Sequence, residues 1–205
     1  MRGAGADPCV RPLAQLQNIQ GMKKNRDYSY RITNPMRNIL SAITFQICWF
    51  ICVLGPVHGR VWVGPIVVSL SWLIHLITRH RRNPMVWITM VCVLAGFIVD
   101  TAFIRFGTYM PVQMGPGAMF SPIWLTFMWI NLALLMNESM RWLQGKYRLS
   151  AILGALGGAS SYAAGGSLGG IVIQKPYILQ LIVIGAAWAV ILPFLVWCVH
   201  TINRR

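Results

Sequence analysis

The sequence predicts an all-α fold, a polytopic membrane bundle of six transmembrane helices with both termini cytoplasmic. Three observations predict it. Hydrophobic residues make up 56% of the 205 positions and charged residues only 11%. The apolar residues gather into six runs, at 38–54, 60–78, 84–104, 119–137, 150–173 and 177–197. A helix of about 20 apolar residues crosses a hydrocarbon core about 30 Å thick, so each run has the length to span with some tilt. The third observation is the alternation of cations between the runs.

Of the 18 lysines and arginines, all but Arg60, Arg105 and Lys175 fall before the first run, after the second, after the fourth or at the end of the chain. Short loops rich in Lys and Arg stay cytoplasmic. Both termini are therefore expected inside, which requires an even number of spans. The formal net charge of +14 reads as a topology signal. Nucleic acid is not expected as a partner, because the basic tail shows no clear amphipathic helix and suits an anionic leaflet, where each cation is worth about 1 kcal/mol. Two domains follow: a basic, disordered cytoplasmic tail at 1–35, with Met22 and Met36 as alternative starts, and a six-helix transmembrane domain at 36–205.

The first run starts well inside the chain and no small-residue cleavage site follows it, so it reads as a retained span. Cys48 and Cys52 stand one helical turn apart in it, and two thiols without His make a poor metal site. Asn34-Pro35, Asn83-Pro84 and Ser121-Pro122 each place a capping side chain before a proline suited to the first helical position. Pro193 lies within the sixth run and is expected to kink it. Between the third and fourth runs, Met110, Met114 and Met119 read as adaptable apolar filler of a loop on the bundle or the lipid surface. Trp62, Tyr109, Trp124, Trp142, Tyr147 and Tyr177 fall near span boundaries, as interfacial aromatics do.

The fifth run differs from the others in its glycine. Gly154 and Gly158, and Gly165 and Gly169, repeat at four-residue spacing, which lets a neighbouring backbone approach closely. These four are expected to pack the run at the bundle centre as a helix that persists to its end, because the bilayer offers its backbone no other partner. Ser160, Ser161 and Tyr162 interrupt the ladder near mid-membrane.

Asp100 is the one carboxylate expected inside the membrane, about 24 Å from the cytoplasmic end of its helix. An embedded acid is a functional hypothesis by default. Three roles stay open for it: a structural ion pair with Arg105 or Arg60, a contact to a ligand, or a proton carrier. Gln46, Asn131, Ser161 and Tyr162 project to middle depth and complete a candidate polar pocket with Asp100. No cofactor fingerprint, metal-ligand cluster or nucleophile motif accompanies them, so no catalytic residue, metal or cofactor is assigned.

Further strings carry a resemblance. They are Phe45-Gln46-x-x-Trp49, Asp100, Pro122-x-Trp124-Leu125-x-x-x-Trp129, Trp142-Leu143, and Gly154-x-x-Gly157-Gly158-x-x-Ser161-Tyr162-x-x-Gly165-x-x-Leu168-Gly169. Together they resemble the bacterial integral membrane family called domain of unknown function 2878 (DUF2878), from about Met36 onward. Ser160 and Ser161 stand where the family's usual pattern has a proline ahead of the tyrosine. The resemblance implies a multi-pass protein of the bacterial inner membrane with no assigned activity. Three classes of function are then open: a bundle that handles a lipid-like or other small molecule or serves a membrane-protein partner, a small secondary transporter, and an intramembrane lipid-modifying enzyme using Asp100. The first is preferred, because internal repeats and a second catalytic group are both missing from the sequence. Membrane lipids are the expected surroundings.

Overall fold

A computed structural model of the chain describes residues 35–78, 82–114 and 119–204. The expectations for the tail at 1–34, for Arg79 and Arg81, and for Arg205 lie outside the described residues. Six α-helices account for most of what is described: α1 (Pro35–Val57), α2 (Val63–Thr78), α3 (Arg82–Arg105), α4 (Ile123–Asn137), α5 (Tyr147–Ser167) and α6 (Tyr177–Arg204). Two three-residue strands, β1 (Tyr109–Pro111) and β2 (Ile171–Ile173), pair antiparallel, with Met110 opposite Val172. Asn38–Arg205 form one compact unit.

Three helices are both long and apolar enough to cross a membrane, over Met36–Val57, Pro84–Arg105 and Tyr177–Arg204. The other two apolar helices, α2 and α4, have 16 and 15 residues. At a rise of about 1.5 Å per residue they reach roughly 24 Å and 22 Å. α5 has length, with 21 residues, but its glycines and serines dilute its hydropathy.

α5 and α6 pack most extensively, followed by α3 against α4 and α2 against α4, while α1 joins through a smaller cluster in which Cys48 and Cys52 pack with Val68 of α2 and Phe127 of α4. Glycine explains the tightest seam. A Cβ at Gly154 would lie 2.3 Å from the Trp188 carbonyl oxygen, and one at Gly158 would lie 2.3 Å from the Trp188 ring. The same approach recurs between α3 and α4, where a Cβ at Gly96 would stand 2.1 Å from the Trp129 ring.

Large apolar side chains also cover the outside. Ile39 and Ile43 on α1, Ile66 and Ile77 on α2, Leu94 on α3, Leu156 on α5 and Val190 on α6 are all exposed. An apolar exterior of this extent marks a surface that something apolar covers.

Four local expectations need correction. The fifth run is not helical to its end: α5 stops at Ser167, Gly169 takes φ +82°, and the chain continues into β2. Backbone partners come from the facing loop instead, as Val112 N–H donates to the Gly170 carbonyl (2.9 Å) and Gln174 N–H to the Thr108 carbonyl (3.1 Å). The 105–120 connection is therefore not simply a greasy surface loop, since part of it is β1. Ser121 does not cap α4; Pro122 itself is the N-cap, and the Ser121 N–H donates to Thr101 Oγ1 (3.2 Å). α3 begins at Arg82, one residue before Asn83, so that asparagine is not ahead of the helix.

Candidate functional site

Asp100 lies on α3, one turn after Gly96, and its side chain is fully buried. Three neutral donors surround its carboxyl group. Tyr162 Oη–H donates to Oδ1 (2.6 Å), Tyr109 Oη–H donates to the same oxygen (2.8 Å), and Trp129 Nε1–H donates to Oδ2 (2.7 Å). They come from α5, β1 and α4, so one side chain ties four elements together. Burying a carboxyl group is costly unless hydrogen bonds replace its water, and these three bonds do so.

Local chain geometry explains each donor's position. Helix α3 ends at Arg105, and Gly107 takes φ +67°. There Gly107 N–H donates to the Ile104 carbonyl (3.1 Å) and Thr108 N–H to the Phe103 carbonyl (2.8 Å). Such a left-handed ending reverses the chain. It carries Tyr109, nine positions beyond Asp100, back over the helix end. Burial, then the neighbouring carboxylate, pushes the Tyr109 phenol well above its ordinary range and keeps its proton available to donate. Trp129 is aimed by packing. Its ring lies across Gly96, the only residue type whose missing side chain leaves that room. On its other side the ring stacks on Trp188 of α6 (5.0 Å between centroids, 8° between planes), and Trp188 rests on Gly158 of α5. Two indoles are thus held between two glycines. Phe103, Tyr109 and Tyr162 form an aromatic wall on the remaining side, with centroids 5.2–6.0 Å apart.

Among the described residues no ion pair forms at Asp100. Arg105 extends over the Phe120 ring (5.0 Å), and Arg60 is exposed in the turn between α1 and α2. The reason is angular: a residue five positions along an unbroken helix points away from the Asp100 face.

The rest of the expected pocket divides. Tyr162 and Ser161 line a cavity of about 90 Å³. Asn131 is buried but does not line it; its Nδ2–H donates to the Phe45 carbonyl of α1 (2.9 Å) and fastens α1 to α4. Gln46 is exposed on the outer side of α1 and takes no part. Gly165 lines the cavity in ordinary contact with Ile171, and Gly169 serves the turn, so of the four expected packing glycines only Gly154 and Gly158 sit at a close helix seam. Tyr109 and Trp124 are buried, not interfacial as their place near span boundaries implied, whereas Trp62, Trp142, Tyr147 and Tyr177 are exposed.

The cavity lies between α1 on one side and α4, α5 and α6 on the other. Phe45, Trp49 and Val53 supply the α1 wall, spaced four apart and hence on one helix face. Trp124, Trp129 and Trp188 contribute indoles opposite, and among the described residues no charged side chain lines the space. An engineered apolar cavity of about 150 Å³ holds benzene, so this one admits the end of a slender molecule. Three of its lining indoles, Trp49, Trp124 and Trp188, have a buried Nε1–H with no hydrogen-bond partner among the described residues, and Trp49 and Trp124 are only 7% and 2% exposed. A buried donor left unpaired costs about 1–3 kcal/mol. Sequence reading missed these indoles and the Tyr109 and Trp129 donors, because nothing local distinguishes them from packing or interfacial aromatics.

No curated protein matches the chain. No solved structure matches it either. The description "Protein of unknown function (DUF2878)" fits residues 38–194, over the helices, the Asp100 cluster and the cavity alike, and the chain belongs to that family.

Proposed function

We propose that this protein is a six-span bundle of the bacterial inner membrane that accommodates a lipid-like molecule in the cavity between α1 and α4–α6. The observation that carries the reading is an uncharged, indole-lined cavity containing buried donors without acceptors. Six spans are supported by the exposed apolar side chains on α2 and α5 as well as on the three longer helices. Both termini lie on the cytoplasmic side in this reading. It is supported by the way the bundle sorts its ends: Ser139 Oγ–H donates to the Asn38 carbonyl (2.5 Å) and Tyr147 bonds His200 (3.3 Å) at one end, while the turn after α1, β1 and β2 gather at the other. Lys146 and Arg204 accompany the first end, and Arg60, Arg105 and Lys175 the second.

Asp100 acts in this reading as the anchor that holds the cavity's aromatic wall, not as an acid or base. Its three donors already occupy it, and it does not itself line the cavity. The transporter and enzyme readings both need an accessible carboxyl group there. Native mass spectrometry of the protein released gently from its own membrane tests the proposal. The expected result is a discrete bound lipid-like species that Trp49→Ala displaces. A stoichiometric protein companion with no small molecule would replace this reading with an accessory subunit.

A further inference from the structure

Resting on the cavity reading above, the geometry points to the ligand's chemical class: an uncharged lipid whose oxygen acceptor, such as an ester or ketone carbonyl, is held by the Nε1–H groups of Trp49 and Trp124. Three features lead there. Both indoles line the cavity, both are more than nine-tenths buried, and neither has an acceptor among the described residues. Trp49 stands on α1 and Trp124 at the start of α4, so the donors come from elements on opposite sides of the space. An aliphatic chain alone would leave both unpaired, and an indole N–H donates but cannot accept. The match is therefore to an acceptor.

Charge decides the rest of the class. Among the described residues no lysine, arginine or histidine lines the cavity, so a carboxylate or phosphate entering it would find no counter-charge there. Asp100 lies behind Tyr162 and Trp129, which donate to it and line the cavity, so it supplies an anion with no positive partner either. A cation would find no carboxylate among the described lining residues, and an acceptor, unlike a cation, answers both N–H donors. A cavity of about 90 Å³ takes a carbonyl and a few adjoining methylenes. The remainder of the molecule extends outside it.

The test compares two probes that differ only in the acceptor, 9,10-dibromostearic acid methyl ester and 9,10-dibromooctadecane, and adds the free acid, dibromostearate, as a charged third. Each is titrated into the detergent-solubilised full chain while tryptophan fluorescence is followed, because bromine quenches indoles in contact with it. The expected result is saturable quenching by the ester, with the hydrocarbon at least about tenfold weaker. Trp49→Phe and Trp124→Phe keep an aromatic wall and remove one N–H each. Each is expected to weaken the ester about five- to tenfold and to leave the hydrocarbon unchanged. Should either variant fail to fold, the comparison of the two probes on the unaltered chain still decides. Equal saturable affinity for both probes would overturn the acceptor assignment while leaving the apolar cavity in place, water then serving the two donors. Saturable quenching by dibromostearate in preference to its methyl ester would overturn the neutral class. No saturable quenching by any probe, on folded protein, would overturn the cavity reading itself.

Discussion

Asp100 holds its place by accepting, and that sets what its removal does. Asparagine keeps the size but presents one oxygen and one NH₂ group, so a donor would face the Trp129 or tyrosine donors. Asp100→Asn is expected to destabilise the protein on the order of 3 kcal/mol, read as a lower midpoint in thermal size-exclusion of the detergent-solubilised protein. Adding Arg105→Ala should restore nothing, because Arg105 lies over Phe120 and not beside the carboxyl group. Recovery in the double variant would instead restore the ion pair. Tyr109→Phe and Tyr162→Phe each remove one donor to Oδ1, at an expected cost of about 1.5–3 kcal/mol. Both losses should shrink in the Asp100→Asn background, since residues of one network are not additive. The sequence identified Asp100 as embedded and Tyr162 as needing a partner. It did not reveal that the two are each other's partner.

At the scale of the element, spacing alone overstates how alike the glycines are. Gly158 and Gly96 each face an indole at a distance no Cβ tolerates, while Gly157 faces open space and Gly165 has only ordinary contacts. Gly96→Ala should push Trp129 off Asp100, and Gly158→Ala should push Trp188 out of the indole stack. Each is expected to lower folded yield severely. Gly157→Ala and Gly165→Ala are expected to stay within about 1 kcal/mol of the native protein, the scale of the helix-propensity difference between the two residues. Equal tolerance at all four positions, measured as monodisperse yield, would refute the two-indole seam. Gly169 belongs to another class, because its φ of +82° is strained for any other residue. Gly169→Ala should cost about 1–2 kcal/mol without altering the α5–α6 seam.

For the whole molecule, the apolar exterior and the distribution of cations make a claim about sidedness. With native cysteines removed, a single cysteine at position 60 or 175 should react with an impermeant maleimide from outside the cytoplasmic membrane. One at position 146 should react only after the membrane is opened. Labelling of all three from one side would refute the crossing of α5, and with it the six-span reading. α1 forms one wall of the cavity through Phe45, Trp49 and Val53, and Asn131 is one of its few polar fastenings. Asn131→Ala should therefore loosen α1 and weaken ligand retention in native mass spectrometry more than it lowers global stability.

Helix content, apolar run length and the alternation of cations are properties of neighbouring residues, and a reader moving along the chain recovers them without knowing any contact. For that reason the helices fall close to the apolar runs, and Asp100 stands out as a lone acid among them. Partnership is a different kind of property. The donors to Asp100 lie 9, 29 and 62 positions away, and they meet because Gly107 reverses the chain, Gly96 admits an indole and Gly158 seats another. The end of the glycine-rich run likewise became a strand only because a facing loop could pair with it. A carboxyl group in an apolar sequence must be satisfied by something, and that much is local chemistry. Which groups satisfy it, and which cavity-lining indoles are left without an acceptor, is decided only when distant elements are packed together.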